Sequence, residues 1–257
     1  MSAGGRHALI TGGGRGIGAA IATALASDGM RITLLGRDRA VLERHAGTLP
    51  ASAAVQVVVA DVGDAPSVTS AFAEARERHG EIEVLVNNAG VASGRPFTKT
   101  DEAVWASMIE INLTGTYRCT REVVPAMIEA GRGRIVNIAS VAGLVGGSYV
   151  SAYTAAKHGV IGLTRALAKE LGPKGITVNA VCPGFTESAM LDRTVTAISA
   201  TTGRSTEAAA SALLEGNPLG RFVRPDEVAH VVAWLCRPES DALTGQAIVI
   251  DGGQVQH

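Results

Sequence analysis

The stretch His7-Ala8-Leu9-Ile10-Thr11-Gly12-Gly13-Gly14-Arg15-Gly16-Ile17-Gly18 decides the fold. A short apolar run of strand character ends in a glycine-rich turn, and from Gly16 to Ser27 the pattern becomes helical. Glycine permits the sharp turn and brings backbone N–H groups close to a pyrophosphate, and the positive N-terminus of the following helix favours the anion. Such a loop carries this meaning only between a strand and a helix, which is where it stands. Gly12, Gly14, Arg15, Gly16, Ile17 and Gly18 are therefore candidate nucleotide-binding residues.

The alternation continues along the chain. Arg31 to Leu35, Val55 to Val59, Glu83 to Asn87, Arg134 to Ile138, Thr177 to Val181 and Ala247 to Ile250 read as strands. Arg39 to His45, Ala65 to His79, Asp101 to Ala130, Ala152 to Leu171 and Pro225 to Cys236 read as helices. Near-continuous apolar strands separated by helices imply a parallel sheet covered on both faces. The expectation is one domain over residues 1–257 with a doubly wound α/β (Rossmann) fold of about seven strands, binding ligands at the carboxyl ends of the strands. Phe185 to Asn217 is the least core-like segment. It reads as one or two small helices inserted before the last helix–strand unit, a candidate substrate lid.

Composition narrows the function. The chain has 257 residues, 46% hydrophobic and 18% charged, which suits a folded protein with a large core. Aromatic residues are only 4%, so Ala, Val, Ile and Leu must build that core. A formal net charge of -1 gives no general drive toward nucleic acid or an anionic membrane. Cys119, Cys182 and Cys236 are odd in number and far apart, which argues against a disulfide framework or a zinc site, and no metal is expected. The N-terminal residues lack an apolar signal core and no stretch is long enough to span a bilayer, so a cytoplasmic protein is expected.

Tyr153 and Lys157 lie one helical turn apart and share a helix face. A phenol is a poor acid, with an unperturbed pKa near ~10. A lysine cation beside it favours the phenolate and lowers that value, giving a proton donor and acceptor without histidine or metal. Ser140 lies upstream, at the end of the apolar run from Arg134. The second strand ends Leu35-Gly36-Arg37-Asp38, with Gly36 where an NAD-selective site places an acid for the ribose 2′-hydroxyl. Arg37 and Arg15 suit a 2′-phosphate, so NADP(H) is favoured over NAD(H). Asp38 is expected to cap the next helix. Asp61-Val62, after the third strand, either meets the adenine edge or forms an ordinary turn.

The motifs Thr11-Gly12-x-x-x-Gly16-x-Gly18, Asn87-Asn88-Ala89-Gly90, Asn112, Ser140 with Tyr153-x-x-x-Lys157, and Pro183-Gly184 stand in one order and spacing. In these the chain resembles the classical short-chain dehydrogenases/reductases along nearly its whole length. The resemblance implies that Tyr153 is the general acid/base, and that Lys157 holds the nicotinamide ribose and lowers the Tyr153 pKa. It implies that Ser140 hydrogen-bonds the substrate oxygen, and that Asn112 supports a water chain leading to Lys157. Asn88, Ala89 and Gly90 would adjoin the adenosine half of the cofactor. Pro183 and Gly184 would turn beneath the nicotinamide, with Ser188 or Thr186 contacting its carboxamide.

The pattern is most similar to 3-oxoacyl reductases acting on acyl-carrier-protein or CoA thioesters, and to polyketide ketoreductases. That resemblance implies reduction of a ketone or 3-oxoacyl thioester. The alternative is a secondary-alcohol dehydrogenase acting oxidatively on a hydroxy acid, polyol or cyclic alcohol. A non-catalytic nucleotide sensor is a third reading, disfavoured by the intact Ser140, Tyr153 and Lys157. Carrier-dependent relatives use basic residues at the site mouth; here Gly131 takes the first such position, followed by Arg132, and Lys174 the second. A CoA or carrier-protein partner is thus open, with Arg132, Arg134 and Lys174 otherwise solvated charges. Ser93 to Phe97, Val141 to Tyr149 and the 185–217 insertion are expected to line the pocket. The family also implies a homotetramer, packed through the long helices with a second contact near the last strand.

Overall fold

The computed structural model describes residues 5–255; the first four residues of the expected N-terminal lead and the last two lie outside the described residues. The strands are β1 (His7–Thr11), β2 (Arg31–Gly36), β3 (Val55–Val59), β4 (Val84–Asn87), β5 (Gly133–Ile138), β6 (Ile176–Pro183) and β7 (Ala247–Ile250). They form one parallel sheet in the order β3-β2-β1-β4-β5-β6-β7. Leu9 pairs with Thr33 on one side and Leu85 on the other. The order reverses between β1 and β4, so the carboxyl ends of those two strands open a crevice for a ligand.

Side chains alternate across the sheet. Ala8 and Ile10 face a core with Ile21 and Leu25 of α1 (Gly16–Ser27) and Val228 and Val232 of α9 (Pro225–Leu235). Leu9 faces the opposite core, with Phe72 of α3 (Ala65–His79), Met127 of α5 (Gly115–Ala130) and Leu171 of α6 (Ser151–Leu171). Each of the larger of these buried side chains, from Val to Phe, stabilises the fold by ~1.5–3 kcal/mol. α2 (Arg39–Ala46) begins where expected, because the Asp38 carboxylate accepts from the Val41 N–H at 3.2 Å. Among the described residues no helix is long and apolar enough to cross a membrane.

Two regions depart from the sequence expectation. The helix expected over Asp101 to Ala130 divides into α4 (Glu102–Ile109), a π turn at Glu110–Thr114, and α5. The cause is Asn112. Its Nδ2 donates to the Met108 carbonyl at 3.0 Å, the acceptor that its own backbone N–H would use in an α-helix. The ladder therefore slips by one residue. The insertion holds α7 (Ala189–Thr202) and α8 (Thr206–Leu213), and its neck closes through a bridge between Thr186 and Val223. It thus extends past Asn217. Few of its side chains are buried; in the two helices only Leu191 and Ala209 are.

Candidate active site

The phosphate loop is braced from beneath. The Gly12 N–H donates to Leu35 O at 2.7 Å, so Gly12 offers no free donor there. The Thr11 hydroxyl accepts from the N–H groups of both Asn88 and Ala89, each at 2.9 Å, and Asn88 Nδ2 donates back to Thr11 O at 2.9 Å. Asn88 is thus a brace for the loop, and Thr11 is a hub that the candidate residues did not include, although it stands in the quoted motif. A Cβ on Gly18 would lie 2.3 Å from Gly12 O, which is why helix and loop can meet only at glycine. Gly14 has a packing role as well. A Cβ there would press on Val41 and Leu42, so this glycine lets α2 pack against the loop.

The first turn of α1 meets the fit expected of a phosphate cradle. The N–H groups of Gly16, Ile17 and Gly18 have no helical acceptor one turn back. Arg15 at the N-cap makes no side-chain cap, whereas α2, α3, α4, α7 and α8 are capped by Asp38, Asp64, Asp101, Ser188 and Ser205. Uncapped donors with a positive dipole end suit a pyrophosphate. At the end of β2, Arg37 is exposed and stands 3.7 Å from the Asp61 carboxylate. Asp61 also accepts from the Gly63 N–H at 2.9 Å. It is first a turn residue and a partner of Arg37. Val62 is buried against Gly115 of α5.

On the other side of the switch point, Ser140, Tyr153 and Lys157 come together. The Ser140 oxygen accepts from the Ala142 N–H at 3.1 Å, which orients it at the start of the 3-10 turn Val141–Gly143. Lys157 is buried; its Nζ donates to Ile138 O at 2.8 Å and lies 5.6 Å from the Tyr153 ring centre. Burial lowers the Lys157 pKa to about 8, offset in part by the Cys182 thiol of β6. Tyr153 departs from expectation. Burial pushes its phenol up, the Ser140 hydroxyl pulls it down, and Cys182 adds to the rise. The ammonium stands beside the ring and bonds a carbonyl, so desolvation outweighs it.

Asn112 is 1% exposed and its side chain is fully engaged. Oδ1 accepts from the Val91 N–H at 3.1 Å and Nδ2 donates to Val91 O at 3.0 Å, anchoring the segment after β4. Gly90 sits beneath: a Cβ there would lie 2.7 Å from Asn112 Oδ1 and 3.8 Å from Lys157 Nζ, so only glycine leaves this floor open. Pro183 ends β6 opposite Ile250, and Gly184 packs against Asp251. Ser188 accepts from Leu191 N–H as the α7 cap, while the buried Thr186 hydroxyl donates to Gly184 O at 3.1 Å. Among the described residues, no group of three or more His, Cys, Asp or Glu side chains is placed to hold a metal ion.

The basic residues expected near the mouth stand elsewhere. Arg132 pairs with Glu83 at 3.1 Å, and Arg134 is buried and pairs with Asp241. Both precede or begin β5, and Lys174 precedes β6. Arg134 lies at the amino end of β5, roughly 20 Å from Ser140 at ~3.3 Å per residue, and Arg132 and Lys174 lie at the same end of the sheet, before β5 and β6.

Residues 12–254 match the family model described as enoyl-(acyl carrier protein) reductase. A protein of Streptomyces coelicolor that carries a ketoacyl reductase name is 41% identical over 249 residues, covering 96% of this chain and 95% of its own length. A 3-oxoacyl-(acyl-carrier-protein) reductase of Thermotoga maritima is 38% identical over 254 residues, covering 98% of each chain. A crystal structure of an actinorhodin polyketide ketoreductase variant with NADPH superposes with a TM-score of 0.94 at 40% identity, covering 97% of each chain.

Proposed function

The chain belongs to the short-chain dehydrogenase/reductase family and is a nicotinamide-dependent oxidoreductase, and from that premise we propose that it reduces a ketone or 3-oxoacyl thioester to the secondary alcohol with NADPH. The observation that carries this reading is the meeting of Ser140, Tyr153 and Lys157 beside an uncapped helix N-terminus. Gly16, Ile17 and Gly18 hold the pyrophosphate, and Gly90, Lys157, Pro183, Gly184 and Thr186 border the nicotinamide end. A bound nicotinamide supplies the hydride for the carbonyl carbon. Tyr153 gives its phenolic proton to the carbonyl oxygen, and Ser140 donates a hydrogen bond to that oxygen as charge develops on it. A phenol held protonated by burial suits this direction. Lys157 holds the ribose and returns the proton. Because the Asn112 side chain is engaged by Val91 and Met108 and its carbonyl by the Thr116 hydroxyl, Asn112 supports the proton path by fixing the segment after β4 beside Lys157. The matching family description names a C=C reduction, but paired hydroxyls suit an oxygen that becomes an alkoxide.

NADPH is supported by Gly36 at the end of β2 and by Arg37 and Arg15, both exposed there. A 2′-phosphate would take Arg37 from Asp61. The 185–217 insertion acts as the lid, hinged at the Thr186–Val223 neck. For assembly we favour a homotetramer. Trp105, Tyr117 and Ile128 are exposed on α4 and α5, Trp234 is exposed on α9, and β7 is only half-buried. Three unpaired, buried cysteines suit a reducing cytoplasm. The positions of Arg132, Arg134 and Lys174 favour a small ketone or CoA thioester over a carrier protein docked by them.

A panel of ketones, 3-oxoacyl-CoA thioesters, enoyl-CoA thioesters and secondary alcohols, each with NADP(H) and NAD(H), tests the reading. NADPH consumption with a ketone or 3-oxoacyl thioester is expected. Turnover only with alcohols, or only with enoyl thioesters, would overturn it.

A further inference from the structure

Tyr149 has a φ of 68°, the one positive φ outside glycine among the described residues. That region strains a bulky side chain, and such strain persists only where the surroundings hold it. Gly146 and Gly147 stand close by, yet position 149 carries a phenol, and that phenol is 67% exposed. Neither core packing nor backbone ease accounts for it. The conformation is held by one bond: the Tyr149 carbonyl accepts from the Arg95 N–H at 2.6 Å. This bond ties the segment after β4 to the segment joining Ser140 to α6. Tyr149 directly precedes Val150, the N-cap of the helix that carries Tyr153.

The use of aromatic residues points the same way. They make up only 4% of the chain, and among the described residues Phe72 is fully buried while Tyr153 and Phe222 are partly so. Phe97 is 76% exposed in the segment that Arg95 anchors, and Phe185 is exposed just after β6. Three of the few rings therefore stand on segments that follow the carboxyl ends of β4, β5 and β6. Aromatic faces attract other rings beyond what area burial alone supplies.

We propose that Tyr149 is a specificity-determining residue whose ring, held on the rim by its left-handed backbone and the Arg95 bond, stacks on a ring of the substrate, so that the site prefers cyclic and aryl ketones to short linear ones. This inference rests on the ketone-reduction reading. Its test is the full chain with NADPH and two ketones, 2-tetralone and ethyl acetoacetate, with kcat and KM measured for the wild type, Tyr149→Phe and Tyr149→Gly. The ratio of kcat/KM for the cyclic to the linear ketone is expected to hold in Tyr149→Phe. In Tyr149→Gly it should fall about tenfold, through KM for 2-tetralone, with no loss of Tm because glycine accepts the positive φ. An unchanged ratio in Tyr149→Gly overturns the proposal. An equal loss in Tyr149→Phe assigns the effect to the hydroxyl and overturns stacking. A lost ratio accompanied by a changed mass in light scattering assigns Tyr149 to a subunit contact and also overturns it. If the wild type reduces neither ketone, the ketone-reduction reading falls and takes this inference with it.

Discussion

At the amino ends of the strands, charged and polar groups are largely paired. The His7 imidazole is held between Gly80 O at 2.8 Å and the Thr33 hydroxyl at 2.9 Å, Arg132 meets Glu83, Arg134 meets Asp241, and Arg237 meets Asp28. At the carboxyl ends of the same strands the opposite holds. The first turn of α1 is uncapped, Tyr149 is strained, and burial displaces the pKa values of Tyr153 and Lys157 in opposite directions. The difference teaches where each kind of energy resides. One end pairs most of its charged groups within the protein, although His79 Nε2 and Arg134 Nε have no partner among the described residues and burial displaces His7 there too, while the other leaves helix donors uncapped and carries the backbone strain.

Substitutions at the two ends should therefore separate activity from stability. The largest effect is expected at Tyr153. Tyr153→Phe removes the proton donor and should lower kcat by ~10²–10⁴-fold in steady-state assays, with Tm little changed; a variant retaining wild-type turnover would sink the assignment. Next is the acid sensitivity of the amino end. Burial lowers the His7 pKa to about 4, against an ordinary 6.5. The unfolded chain then binds more protons between those values, so stability is full above pH 6.5 and is lost as pH falls toward 4, by roughly 3 kcal/mol. Urea melts across that window should show this slope, flattened in His7→Gln; equal slopes in both proteins would place the acid sensitivity elsewhere.

A smaller effect is expected at the adenosine end of the crevice. Arg37→Ala removes one charge-assisted contact to a 2′-phosphate, worth ~1.5–3 kcal/mol, or about 10–150-fold in KM for NADPH. KM for NADH should stay level, and an equal rise for both cofactors would count against the NADPH reading. The smallest is Arg132→Ala. Its pair with Glu83 is largely exposed on the arginine side, so the loss should stay below ~1 kcal/mol by denaturant titration. Turnover of a CoA thioester should not change; a large fall in kcat/KM would move Arg132 from the amino-end framework to the substrate path.

Much of this was legible locally. The strand–glycine loop–helix order from His7 to Ser27 follows from short-range patterns, as do the i,i+4 spacing of Tyr153 and Lys157 and the Asp38 cap, because period and capping act within a few residues. The π turn was not legible: Asn112 takes the Met108 carbonyl locally, but the Asn112 side chain is also held by Val91, 21 residues away, across the path from β4. Nor was the role of Gly14, which answers to Val41 and Leu42. Arg132 stays an exposed charge, as its sequence reads, but the burial of Arg134 beside Asp241 was not legible.

By itself the sequence determined the parallel α/β architecture, the phosphate loop and which residue types could carry proton transfer, because hydrophobic period, glycine geometry and side-chain chemistry are properties of short stretches. Only the tertiary structure decided the upward push of burial on the Tyr153 phenol, the engagement of Lys157 by Ile138, the end of the sheet to which Arg132 belongs and the strain at Tyr149. Desolvation and pairing depend on which distant segments share the same low-dielectric space, and folding alone brings those segments together.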